Sequence, residues 1–151
     1  MSNKTKYYGL NRGKYNDWIL LKNQLNQIKM KVEIELEYEM FENIIVTALE
    51  GGSNYWYMLG DIKGCKKMPH KAESERIAYG LWHNKESKVC IHDVEDGELL
   101  GTLTQDRVRE GLALGCGEHM EEIGMMMDGK YDAWTADTLF QILVMGEIVY
   151  G

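Results

Sequence analysis

Ten residues, KVEIELEYEM at positions 31–40, constrain the fold more than any other stretch of this chain. Val32, Ile34, Leu36, Tyr38 and Met40 alternate without a break with Glu33, Glu35, Glu37 and Glu39. Period two is the repeat of a strand with one face on a core and the other in water. The alternation predicts a half-buried strand whose outer face is a ladder of carboxylates about 6.7 Å apart, two residues at roughly 3.3–3.4 Å each. A helix is expected to follow, with Phe41, Ile44, Ile45, Ala48 and Leu49 on one face and Gly51 and Gly52 ending it.

The ladder belongs to a chain whose charge is divided into two blocks. Residues 1–31 hold seven cations (Lys4, Lys6, Arg12, Lys14, Lys22, Lys29, Lys31) and one anion (Asp17), a balance of +6. Residues 32–151 hold 10 cations and 23 anions, a balance of −13, so the net charge of −7 is a basic arm on an acidic body. Such a body repels nucleic acid and membrane headgroups and suits basic partners. At 151 residues and 44% apolar composition, the chain is expected to bury one core without disulfides or metal. The odd, widely spaced cysteines (Cys65, Cys90, Cys116) fit reduced thiols in a cytosol. No run of 18 apolar residues suits a membrane helix. The polar N-terminus has no apolar segment of the kind that directs secretion. These features lead us to expect a cytoplasmic protein.

Residues 1–13 are polar and basic and are expected to be disordered; residues 14–151 are expected to form a single domain. Asn16 or Asp17 is a candidate N-cap for an amphipathic helix over 14–30, with Trp18, Leu21, Leu25 and Ile28 in a narrow seam. That seam fits docking on the chain's own core, and it also fits a homodimer or partner contact. After the ladder and its helix comes an aromatic patch, SNYWYML (53–59), and then a loop-like stretch, 60–70. Ser74 is expected to cap a helix to about His83, with Ile77, Ala78, Leu81 and Trp82 inward. Residues 87–94 and 98–103 read as a hairpin around Glu95, Asp96 and Gly97. Thr104 is expected to cap a helix carrying Val108 and Leu112 and ending near Gly115 or Gly117, while residues 118–130 are ambiguous. Asp132 or Thr135 caps a last helix, carrying Leu139, Ile142, Leu143 and Ile148 and expected to run to Tyr150 and Gly151. The pattern is α+β: a small antiparallel sheet of about three strands packed with four to five helices.

Few constellations suggest chemistry. Cys116 and His119 have zinc-pair spacing, and Cys65 with His70 is a looser second pair. Cys90 and His92 compete with it, and no zinc or other cofactor is expected. Four carboxylates in DVEDGE (93–98) lack the glycine position and final glutamate of a calcium loop. His92 beside Asp93 lacks the further histidines a metal phosphohydrolase needs. The glycines of GDIKGCKK (60–67) are too close for a phosphate loop, and no Ser or Thr follows the lysine. Tyr55, Trp56 and Tyr57 suit either base stacking or a core, and Met120, Met125, Met126 and Met127 suit either an adaptable surface or core filling.

Four segments, TALEGGSNYWY (47–57), SERIAYGLW (74–82), IHDVEDGE (91–98) and DAWTADTLFQILVMGEIVYG (132–151), resemble a family of small phage and prophage accessory proteins. Together they cover about a third of the chain and carry no catalytic motif; residues 1–30 lie outside them. The resemblance implies an accessory gene on a mobile element, near host-takeover or anti-defence genes, and therefore the cytosol of a host cell.

The function expected is that of a non-enzymatic anti-defence protein, an anti-CRISPR-like inhibitor. Its partner would be a host defence protein with a basic nucleic-acid-binding surface, such as a CRISPR effector. Glu33, Glu35, Glu37 and Glu39 would dock on that surface, with Trp18, Leu21 and Leu25 as an apolar contact. The acidic body itself is not expected to bind nucleic acid, and no membrane partner is expected. The alternative is a protein that sequesters a signalling nucleotide with Asn54, Tyr55 and Trp56. A metal-dependent hydrolase built on His92, Asp93 and Asp96, and a phage assembly part, are weaker readings.

Overall fold

Residues 135–144 of one helix are buried without interruption, polar side chains included, and the other elements pack around them. The fold comes from a computed structural model that describes residues 12–25 and 33–151. It divides into two units, Met1–Glu35 and Leu36–Gly151.

The first unit contains α1 (Arg12–Leu25). The helix starts ahead of the expected caps, so Asn16 and Asp17 lie inside it. Leu21 is 54% exposed, and Ile19 and Leu20 are exposed beside it. Ile28 and the side chains of Trp18 and Leu25, the rest of the expected seam, lie outside the described residues, as do residues 1–11 and 26–32.

The second unit is α+β, with one three-stranded antiparallel sheet in the order β1-β2-β3. Its elements are α2 (Tyr38–Thr47), continued by a wider turn over Ala48–Gly52, then β1 (Tyr57–Lys63), α3 (Glu73–His83), β2 (Lys88–Asp93), β3 (Leu99–Leu103), α4 (Gln105–Glu118), α5 (Met120–Met127) and α6 (Ala133–Met145). The hairpin of β2 and β3 forms as its turn residues imply. Gly97 takes a φ of +74°, the left-handed conformation that glycine adopts without strain. Val89 faces Leu103 and Ile91 faces Gly101, which puts Val89, Ile91 and Leu103 in the core. Phe41, Ile44 and Ile45 of α2, Ile77 and Leu81 of α3, and Ile123 of α5 complete that core against α6. A helix buried on all sides needs apolar residues all round; α6 instead includes Thr135, Asp137, Thr138 and Gln141.

Over its described residues, 33–40, the strand expected at 31–40 is not in the sheet. Residues 33–37 have no regular secondary structure, and residues 38–40 already belong to α2. Alternation survives only as exposure: Glu33, Glu35, Glu37 and Glu39 are exposed, and Ile34, Leu36, Tyr38 and Met40 are partly buried. Period two records which face is covered, whereas a strand also needs a neighbour to complete its backbone hydrogen bonds. Here the 3.6-residue spacing of Phe41, Ile44 and Ile45 takes over three residues early. The third strand is β1, built from the end of the aromatic patch and the start of the stretch read as a loop. It pairs with β2 through Tyr57–Asp93, Leu59–Ile91 and Lys63–Lys88, with an irregularity between Leu59 and Ile62.

The last helix is also shorter than expected. Asp132 caps it, its carboxylate accepting from the Thr135 N–H at 2.8 Å. Gly146, with φ of +86°, ends it after Met145, so Ile148 is off the helix and exposed. Helix α3 is capped two residues earlier than expected, at Ala72: Glu75 accepts from the Ala72 N–H at 2.7 Å, while Ser74 is buried and donates to Glu50 at 2.6 Å. Residues 120–127, within the ambiguous stretch, form α5, whose Met126 is core.

Helices α4 and α6 approach so closely that glycine is required between them. A Cβ on Gly111 would stand 2.9 Å from the Leu143 Cα and 2.8 Å from its Cδ2. On Gly117 of the same helix it would meet nothing within 4 Å. Alanine is favoured over glycine in a helix by about 0.8–1 kcal/mol, and overpacking costs about 1–3 kcal/mol. Gly111→Ala is therefore expected to lower stability by a net 1 kcal/mol or so, and Gly117→Ala to raise it by somewhat less than that. Urea unfolding of the two variants measures both, and equal shifts would contradict this packing.

Candidate functional site

Two kinds of surface could meet a partner: exposed carboxylates and an aromatic cleft. Glu37 and Glu39 open the second unit, Glu37 in extended conformation just before α2 and Glu39 in its first turn, where the helix dipole favours an anion. Glu95, Asp96 and Glu98 are exposed on the turn between β2 and β3. None of these five is ion-paired among the described residues, where side-chain bridges include Lys71–Glu75, Arg76–Glu73, Arg107–Glu110, Arg109–Asp106 and Lys130–Asp128. Glu33 and Glu35, the other rungs of the ladder, are exposed in the first unit.

The cleft is built around Asp137, which is 5% exposed on the second turn of α6. Its Oδ1 accepts from Trp56 Nε1 at 2.7 Å, and its Oδ2 accepts from the Tyr55 hydroxyl at 2.9 Å and Gln141 Nε2 at 3.0 Å. Gln141, one turn on, also accepts from the backbone N–H groups of Val149 and Tyr150 at 2.9 and 2.8 Å and donates to the Tyr150 carbonyl at 2.9 Å. The segment after α6 is thereby folded back so that the Tyr150 ring stacks on Trp56, 5.2 Å between centroids and 8° from parallel. The Tyr150 hydroxyl then donates to Asp93 at the end of β2, at 2.5 Å. Between these groups lies a cleft of about 440 Å³ whose walls include Tyr55, Trp134, Ile148 and Tyr150, with Asp137 at its base.

Of the three aromatic-patch residues named from sequence as ligand contacts, Asn54 and Tyr55 are exposed, and only Tyr55 lines the cleft. Trp56 is 1% exposed, held between Tyr150 and Phe140, and has no free face for a ligand. No cation lines the cleft, so nothing there offers a charge to a phosphate. Its chemistry suits a neutral or cationic aromatic group instead. Trp134, 64% exposed, supplies an open wall that sequence reading missed. It lies in the first turn of α6, just ahead of the buried run 135–144, a signal available once α6 is known to be central.

Asp93 and His92 make hydrogen bonds that shape the end of the β2–β3 hairpin. Asp93 accepts from the Glu95 N–H at 2.6 Å and, with Tyr150, is held below the usual carboxylate range; the tyrosine bond is the larger cause. His92 bonds the Gly97 carbonyl through Nδ1 at 3.0 Å and packs over Gly60, where a Cβ would stand 2.5 Å from its ring. Burial pushes the Cys65 thiol up. Among the described residues, no group of three or more His, Cys, Asp or Glu side chains is placed to hold a metal ion. No helix there is long and apolar enough to cross a membrane.

Comparison with protein-family models, with curated proteins and with solved structures gave no match to this chain.

The tyrosines of this region hold their protons strongly. Burial and then the bond to Asp137 push Tyr55 up to about 12. The bond to Asp93 and then burial do the same for Tyr150, also to about 12. Burial followed by the Glu73 charge raises Tyr57 to about 12. An unfolded tyrosine titrates near 10. A folded pKa above the unfolded one means stability that is complete below pH ~10 and lost as pH rises toward ~12. Urea unfolding across that window is expected to show a steep alkaline loss, made shallower in Tyr55→Phe and Tyr150→Phe. A wild-type slope unchanged in both variants would show that these hydroxyls do not carry it.

Proposed function

We propose that this protein is a non-enzymatic inhibitor that occupies the cationic nucleic-acid-binding surface of another protein. The observation that carries this reading is the set of exposed carboxylates without ion-pair partners, Glu37, Glu39, Glu95, Asp96 and Glu98 among the described residues. Carboxylates without an ion pair in the free protein lose no internal salt bridge when they meet a basic partner. Charge complementarity would then speed association and select the partner more than it raises intrinsic affinity. Phage-like segments in the sequence favour a host defence effector, such as a CRISPR effector, as that partner. Glu33, Glu35 and the exposed Leu21 belong to the first unit and are further candidate contacts of that unit; Trp18 and Leu25 are proposed beside Leu21 from the sequence alone.

The test pairs tagged wild-type protein with the Glu35→Lys/Glu37→Lys variant in extracts of the host. Wild-type protein is expected to retain a nucleic-acid-binding protein and to displace nucleic acid from it. Raising salt should weaken the interaction, because exposed charges are screened over about 8–10 Å at 0.10–0.15 M. The variant is expected to melt like wild type, since surface substitutions usually change stability by about 0.5 kcal/mol or less, and to lose binding at least tenfold. Unchanged binding by a normally folded variant would reduce these carboxylates to a solvated face.

A further inference from the structure

Seven of the ten cations that follow residue 31 fall between residues 63 and 88, beside only three anions, so this stretch is a basic island on an acidic body. Two of the seven are engaged: Lys71 with Glu75 at 2.6 Å and Arg76 with Glu73 at 3.5 Å. Lys63, Lys66, Lys67, Lys85 and Lys88 are all exposed, and none is ion-paired among the described residues. Lys63 and Lys88 stand directly opposite each other where β1 pairs with β2. Like charges in that position destabilise a sheet, and an anion bound nearby relieves the repulsion.

The island borders a cleft of about 660 Å³, within the range of small-molecule sites, between the segment after β1 and the end of α3. Lys66, Lys67, Tyr79 and His83 line it, with Glu86 as its one acidic group. Lys63 and Lys85 adjoin two further lining residues, Gly64 and Asn84, which the Asn84 amide ties together at 3.0 Å. Tyr79 is 45% exposed, and its ring is steadied by His83 at 4.4 Å and by Tyr38, edge-on at 6.1 Å. A fixed, half-open aromatic ring beside unpaired ammonium groups fits a ligand with a flat base at one end and several negative charges at the other.

We propose that this cleft binds a nucleotide, its phosphates against Lys66 and Lys67 and its base on Tyr79. Ionic screening decides between a small ligand and a polymer. Screening confines the field a ligand feels to about 8–10 Å, and the cleft itself presents two lysines against one carboxylate, Glu86, whereas a long nucleic acid would run on past further carboxylates of the acidic body. The site shares no residue with the acidic docking surface, so either assignment stands or falls without the other.

Isothermal titration of the full chain with ATP, tripolyphosphate and adenosine tests this. ATP is expected to bind saturably, more tightly than tripolyphosphate, while adenosine alone gives no measurable heat. Lys66→Ala/Lys67→Ala should weaken ATP binding at least tenfold with an unchanged melting temperature, and Lys130→Ala, outside the cleft, should not alter it. Tyr79→Leu should remove the advantage of ATP over tripolyphosphate. Absence of saturable ATP binding, or ATP binding indifferent to the double lysine variant, overturns the proposal. Tripolyphosphate binding as tightly as ATP in the wild-type protein overturns the role of the ring, independently of how Tyr79→Leu folds. A single-stranded oligonucleotide that binds where ATP does not compete replaces the nucleotide with a nucleic acid.

Discussion

A carboxylate taken out of water must be compensated, and in this fold the compensation for Asp137 organises its surroundings. Desolvation of such a group costs several kcal/mol, and hydrogen bonds to a charged acceptor contribute about 1.5–3 kcal/mol each. Three donors, from Trp56, Tyr55 and Gln141, come from two separate parts of the chain. Satisfying them fixes the rotation of α6, the seat of Trp56 under the sheet's edge residues and, through Gln141, the return of the final residues over the indole. An apolar residue at 137 would leave the Trp56 N–H buried without a partner. The polar positions of α6 are thus tied to named acceptors and donors, which is how a helix buried on every side accommodates them.

The surface is organised by charge of opposite kinds. Along the chain, acidic residues are spread over several elements, while most cations of the second unit are collected around one end of the β1–β2 pair and the adjoining α3. Net charge alone conceals this. A body with a balance of −13 after residue 31 still presents a local region where anions are attracted. The two regions have different physics: the carboxylates form an open, screened surface suited to a large partner, and the lysines border a concavity suited to a small one.

Much of the fold was legible. Turn chemistry located the β2–β3 hairpin, because Gly97 supplies the left-handed residue the turn needs. Helical spacing located α2, α3, α4 and the start of α6, because their buried faces repeat at three and four residues. The most regular signal, residues 31–40, misled for a physical reason: alternation reports coverage of a face and carries no information about a pairing partner. Strand β1 was missed because Gly60, Asp61 and Gly64 resemble a loop, although Gly60 is what makes room for the His92 ring across the sheet. The site was less legible. Tyr55 was visible as an aromatic, but its setting depends on Asp137 and Tyr150, 82 and 95 positions away in the sequence. The basic island was present in the composition of residues 63–88, hidden when the charge was summed over the whole body.

The hydrogen bond between Trp56 and Asp137 spans 81 positions of sequence. Loop closure over such a distance must precede its reward, which places this contact late in folding. As the chain leaves the ribosome, Trp56 emerges uncovered, and the helix that buries it is synthesised about 80 residues later. At translation rates of about 5–20 residues per second, that interval lasts several seconds. During it, Phe41, Ile44 and Trp56 lack their cover from α6, so the nascent segment is open to chaperones and to misassociation.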